Sequence, residues 1–224
     1  MSSQARVPFK EHEVADYERR RYRGVDQRIV HGRETRILRK MLGTAGAEQP
    51  ADHRALALDA PCGYGRFTGL LLEAGFRPVN CDLSLAMVRR ARAKDFISPN
   101  AIGTVANVTR GLPFRAGMFP LVFSLRFFHH LHTPEERRAA FGEFARAGSG
   151  WLILSFYRAN FLHQAQRALR RRVKRTRTRI KMISRREFED GAARAGFRVV
   201  RITPLFRGVH AHHIALLKKD QTGY

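Results

Sequence analysis

The chain has 224 residues, 44% of them hydrophobic, which suits one α/β domain with a buried core and excludes a disordered chain. Its 42 Lys and Arg against 19 acids give a net charge of +23, a field that attracts nucleic acid, anionic lipid, or phosphorylated and carboxylated small molecules, although an arginine-rich composition alone gives the same sign. No apolar run reaches the roughly 20 residues of a membrane span, and the opening MSSQARVPFKEHEVADYERR lacks a secretion signal, so a cytoplasmic protein without a transmembrane segment is expected.

Residues 10–42 read as helix, with Gly24 and Gly32 as expected breaks, and TAGAEQPADH reads as a loop. From residue 55 short apolar strands alternate with amphipathic helices. ALALDA (55–60) is a strand, FTGLLLEAGF a helix stopped by Gly75, and PVNCD (78–82) a second strand. Ser84 is placed to cap LAMVRRARAK. AIGTVANV (101–108) and FPLVFSL (119–125) are the third and fourth strands. Thr133 caps PEERRAAFGEFARA, with Pro134 in its first turn. WLILSFY (151–157) is the fifth strand, and SRREFEDGAARAGF a helix capped by Ser184 and closed by Gly196. FRVVRITPLF and HHIALLKK follow, joined by a connection too short for a parallel crossover, so they are expected to be antiparallel neighbours.

The pattern predicts an α/β, Rossmann-like, seven-stranded, mostly parallel sheet with an antiparallel last strand and helices on both faces. The expected organisation is an N-terminal helical cap (1–50), a ligand-binding core (51–157), a basic insertion (158–183) and a closing helix and hairpin (184–224). Within the basic stretch, residues 158–186 hold 12 Lys or Arg and no acid. Phe161, Leu162, Ala165, Ala168 and Leu169 have roughly helical spacing there, as in a basic amphipathic helix on an anionic membrane or nucleic acid; a solvated charged lid is the plainer alternative.

Open parallel sheets bind ligands at the carboxyl ends of their strands. LDAPCGYG places Asp59 at a strand end and Gly63 and Gly65 in the turn after it, where backbone and ligand can approach closely. Asp82, at the end of the second strand, lies where an acid accepts hydrogen bonds from a ribose diol. Dinucleotides and S-adenosylmethionine both use such a turn. Thr68 stands where the dinucleotide fingerprint has its third glycine. Asp59 would repel a pyrophosphate but favours the ammonium and sulfonium of S-adenosylmethionine.

DAPCGYGRF resembles motif I, D-x-G-C-G-x-G, of the class I S-adenosylmethionine-dependent methyltransferases. NCDLSLAMVRRAR and NVTRGLPFRAGMFPLVFSLRFFHHL resemble the family's next segments, and AGF before the last hairpin also fits. The likeness covers about residues 55–157 and more weakly 184–217, and is to the small-molecule branch that includes ubiquinone and menaquinone methyltransferases. It implies that Asp59, Ala60, Pro61, Gly63, Gly65, Asp82, Leu83, Asn107, Val108 and Ser124 line the cofactor, with Leu83 and Val108 around adenine and the Asn107 amide oxygen accepting from its amino group. Three departures stand out: Pro61 for a glycine, Asn107 for an Asp, and Pro120 for the Asp of F-D.

His129, His130 and His132 follow the fourth strand. One of the first two is a candidate general base, the alternative being a helix turn with one packed and one exposed imidazole. Arg126 is a candidate clamp for an anionic acceptor, or a surface arginine. Tyr17 and Tyr22 are candidates for a helix folded over the cofactor, or plain packing. The side-chain roles of Tyr64 and Arg66 stay open. His210, His212 and His213 are expected to be surface or lid residues. No metal site is expected. Cys62 and Cys81 read as buried free thiols, not as nucleophiles or a disulfide.

The resemblance implies methyl transfer to an O, N or activated C of a small or lipid-linked, anionic acceptor. An RNA methyltransferase using residues 158–186 and a non-catalytic binding protein of the same fold are the alternatives.

Overall fold

The computed structural model describes residues 25–49, 55–94, 102–159, 181–206 and 211–220. Tyr17, Tyr22, His210 and most of the basic stretch lie outside them. The chain divides into two compact units, Met1–Pro113 and Phe114–Tyr224.

In the first unit, α1 (Val25–Gly46) buries Ile37, Leu38, Met41, Leu42 and Ala45, a stripe at helical spacing. The helix runs through Gly32 and on to Gly46, past the expected break and into the expected loop. An interior glycine costs about 1 kcal/mol, less than burying one of those leucines returns at roughly 1.5–3 kcal/mol. Three parallel strands follow, in the order β3-β2-β1: β1 (Leu56–Asp59), β2 (Arg77–Asp82) and β3 (Ile102–Val105). Their pairing sets Leu58 beside Val79 and Val79 beside Ile102. The crossovers carry α2 (Thr68–Glu73) and α3 (Leu85–Arg92). Ser84 caps α3, its Oγ accepting from Met87 N at 3.4 Å.

The second unit contains β4 (Phe119–Ser124), α4 (Pro134–Ala147), β5 (Gly148–Tyr157), α5 (Arg185–Arg194), β6 (Phe197–Pro204) and β7 (His212–Lys219). Its strand order is β4-β5-β7-β6. β4 and β5 are parallel, while β7 is antiparallel to both β5 and β6. Pro120 falls at a register shift between Phe119 and Leu121, an irregularity of the kind at which strand prolines are found. Thr133 and Glu136 form a capping box at the start of α4, and Ser184 Oγ accepts from Glu187 N to cap α5. Phe156 stacks on Phe188 at 4.0 Å, and Phe141 packs edge-on to Phe128 at 4.8 Å.

The strands therefore form the seven-stranded, mostly parallel mixed sheet with an antiparallel last strand that the alternation predicts. A second expectation fails: His212 and His213 are buried rather than at the surface. β7 is an interior strand, and six of its eight residues are buried in succession. His213 Nδ1–H donates to Ala211 O at 2.8 Å, and burial holds its pKa below the ordinary value. No helix among the described residues is long and apolar enough to cross a membrane.

Candidate active site

β1 ends at Asp59, and the chain turns through Ala60, Pro61 and Cys62, whose N–H donates to Cys81 O at 2.8 Å. Gly63 and Gly65 follow with φ of +53° and +73°. At Gly65 a Cβ would lie 2.6 Å from Ala91 Cα on α3, so side-chain absence as well as backbone freedom is required there. Asp82 closes the turn from β2: one carboxylate oxygen accepts from Gly63 N at 2.9 Å and the other from Ser84 N at 3.0 Å.

The turn thus collects two acids. Asp59 is buried, and burial, then the charge of Asp82, pushes its pKa well above the usual carboxylate range. Burial also raises the pKa of Asp82, against the opposing N–H groups of Ser84, Gly63 and Leu83. No basic side chain among the described residues bonds to either. Nearby, Thr68 Oγ1 is buried without a hydrogen-bond partner among the described residues. An acid pair without a basic partner favours a cationic ligand over a pyrophosphate.

Of the other expected contacts in this unit, Ala60 and Val108 are buried, and Pro61 and Leu83 are half-buried. Asn107 is different: its Oδ1 already accepts from Thr109 N at 3.0 Å and Thr109 Oγ1 at 2.9 Å. Both lone pairs are taken by the local turn, so accepting from an adenine amino group would cost one of these bonds.

Sequence reasoning left Arg66 open, and its partners lie more than 30 positions away. Its guanidinium is within 2.7 Å of Glu34 Oε2 and 2.9 Å of His31 Nδ1, both on α1, and stacks on the Phe67 ring. Tyr64 is also buried, with Lys94 Nζ over its ring. Both thiols are buried, and burial raises both pKa values, that of Cys81 to about 12.

The second unit carries the remaining expected residues at the carboxyl end of β4. Ser124 is fully buried, and its Oγ has no hydrogen-bond partner among the described residues. Arg126 is half-buried with φ +56°, its N–H donating to Ser155 Oγ at 2.7 Å. Phe128–His130 form a 3-10 turn. The His129 ring lies 4.0 Å from that of the exposed His130 and 4.9 Å from that of Tyr157, which in turn stacks on His212 at 5.0 Å. His132 is exposed, its backbone N–H donating to Glu136. Ser155 and Tyr157 carried no signal in the sequence beyond strand alternation.

Residues 58–154 match a family model described as a methyltransferase domain. No curated protein matches the sequence. Among solved structures, the magnesium protoporphyrin IX methyltransferase of Synechocystis PCC 6803 with bound SAH is similar. It has a TM-score of 0.73 at 18% identity, covering 92% of this chain and 94% of that one. A methyltransferase in complex with the Haloferax volcanii Trm112 methyltransferase activator gives 0.64 at 15% identity, covering 96% and 99%. A TehB-like SAM-dependent methyltransferase from Corynebacterium glutamicum gives 0.61 at 19%, covering 94% and 100%.

The residues present fit the methyl donor of such enzymes. The Gly63–Gly65 turn lets it approach the backbone, and the Asp59–Asp82 pair offsets its positive charge. The domain match, the sheet and this turn agree: residues 58–154 carry a methyltransferase domain, on the fold of S-adenosylmethionine-dependent methyltransferases.

Proposed function

We propose that this methyltransferase acts on an O, N or activated C of a small or lipid-linked anionic acceptor. The observation that carries the reading is Arg126, held in a left-handed backbone conformation at the end of β4 and followed within four residues by His129 and His130. A bulky residue in that conformation costs energy, and such costs persist where placement of the side chain matters. The net charge of +23 agrees with an anionic acceptor.

When bound, S-adenosylmethionine supplies an electrophilic methyl on sulfur. Asp59 and Asp82, with Ala60, Pro61, Gly63, Gly65, Leu83 and Val108, would hold it, and Ser124 would supply a further hydroxyl. Arg126 would orient the acceptor's anionic group. His129, its ring set between those of His130 and Tyr157, would take the proton that the acceptor loses as its lone pair bonds the methyl carbon. His130 is the second candidate for that proton. Alignment is the main contribution of the protein, because the donor is already reactive.

An RNA acceptor is the second reading, favoured by the 12 Lys or Arg and no acid of residues 158–186. The test is methyl-labelled S-adenosylmethionine incubated with carboxylated phenols and quinols, with anionic lipids, and with RNA. Label in the small-molecule or lipid fraction, with Arg126→Gln raising KM and His129→Asn lowering kcat, supports the proposal. Label in RNA alone, declining with salt, would replace it with the second reading.

A further inference from the structure

Asp82 and the Cys62 thiol hold the cofactor turn at Gly63, but not at its far end. Phe67, which precedes α2, makes no side-chain capping bond, and Gly63 and Gly65 give this stretch more backbone freedom to lose than any other residue type would. A hold on that far end comes from 32 positions upstream. Arg66 lies one residue after Gly65, and its Nη2 donates to Glu34 Oε2 at 2.7 Å. The pair is buried, with side-chain exposures of 9% and 0%. The same nitrogen is 2.9 Å from His31 Nδ1. Arginine only donates, so His31 accepts through Nδ1 and carries its proton on Nε2. The guanidinium stacks on Phe67, and the His31 ring lies 6.2 Å from the same phenyl ring. A buried pair of this kind is rarely a gain over apolar packing, and its use lies in fixing one geometry.

We propose that Glu34 is a positioning residue for the cofactor turn: through Arg66 it holds the Gly63–Phe67 stretch, so that cofactor binding and the ordering of α1 are coupled. The coupling is reciprocal. If α1 in place favours the binding form of the turn, an adenosyl ligand on the turn must favour α1 in place by the same factor. The inference rests on assigning the turn to S-adenosylmethionine, and Glu34 acts through Arg66.

The test uses the full chain and S-adenosylhomocysteine as the probe. Glu34→Gln leaves a buried arginine without its carboxylate and risks misfolding, so the deciding variant is the double neutral replacement Glu34→Leu with Arg66→Met, which removes both charges together. Titration calorimetry on variants of native circular dichroism should show a loss of affinity of about tenfold or more, with Glu34→Asp falling between. Amide hydrogen exchange supplies a readout that a purely structural role would leave unchanged. In the wild type, ligand should slow exchange over both residues 60–67 and residues 25–46; in the double variant, over the turn alone. Wild-type binding with protection of the turn but not of α1, or a folded double variant with unchanged affinity, overturns the coupling while leaving the cofactor assignment intact. A wild type that binds no adenosyl ligand overturns both.

Discussion

Ser155 Oγ accepts the backbone N–H of Arg126 at 2.7 Å, and Arg126 is the only non-glycine residue with positive φ among the described residues. Ser155 is fully buried on β5, so this bond anchors the end of β4 to its neighbour in a conformation costing an L-residue about 1–2 kcal/mol. Arg126→Gly should remove that cost and raise the melting temperature by about 2–4 °C, while weakening turnover of an anionic acceptor. Ser155→Ala should do the opposite to stability, because it strands a donor worth about 1 kcal/mol. Thermal unfolding of the two variants gives opposite signs if the strain is real. Equal destabilisation would show that Arg126 is braced by its side chain instead.

The acid pair gives a pH signature. Asp59 has a folded pKa raised above its unfolded value, first by burial and then by Asp82. Stability from its protonated form is therefore fully present below the unfolded value of about 3.9 and is lost as pH rises through the folded value. Once Asp59 is ionised, the ligand-free protein bears the cost of a buried carboxylate beside a second acid. Asp59→Asn should raise the ligand-free melting temperature at pH 7, flatten its decline above about pH 4, and abolish tight binding of S-adenosylmethionine. A cationic ligand favours the ionised acids, so binding should release protons and tighten as pH rises through that range. S-adenosylhomocysteine lacks the sulfonium charge and should show a weaker pH dependence. Calorimetry in buffers of different ionisation enthalpy measures the difference, and identical proton release for the two ligands would count against a charge role for the pair.

What was legible in the sequence divides by range. The Ser84, Thr133 and Ser184 caps are bonds over three residues, and each was readable because donor and acceptor lie in one turn. The strand–helix alternation and the Asp59, Gly63, Gly65, Asp82 spacing are equally local. Glu34 with Arg66 was not readable, because nothing in a helix stripe says which of its acids meets a loop 32 residues on. His212 and His213 were misplaced for a related reason. Two successive buried histidines break the alternation of a one-sided strand, and only the insertion of β7 between β5 and β6 covers both faces. Gly32 was read as a break because its local cost was visible and the distant packing of α1 was not.

The thiols should be silent in the native protein. With the Cys81 pKa pushed up to about 12, the thiolate fraction at pH 8 is on the order of one in ten thousand, and Cys62 is raised as well. Iodoacetamide at pH 8 should leave methyl transfer unchanged over a period in which the unfolded chain is fully alkylated. Rapid inactivation of the folded enzyme would mean that one of the two is reached by solvent and is ionised.

The two glycines of the turn should respond unequally to alanine. Gly63, at φ +53°, has open space where a Cβ would stand, so Gly63→Ala bears only the left-handed penalty of about 1–2 kcal/mol. Gly65, at φ +73°, bears the same penalty and in addition would drive its methyl to 2.6 Å from Ala91 Cα and 2.9 Å from Thr68 Oγ1. Neither the α3 backbone nor the first residue of α2 can move aside as a flexible side chain would, so overpacking adds roughly 1–3 kcal/mol. Urea unfolding should therefore rank wild type above Gly63→Ala and Gly63→Ala well above Gly65→Ala. S-adenosylhomocysteine affinity should fall in the same order, because relief at Gly65 comes only by shifting the turn away from α3. Equal losses at the two positions would mean that contact with α3 does not set the shape of the turn.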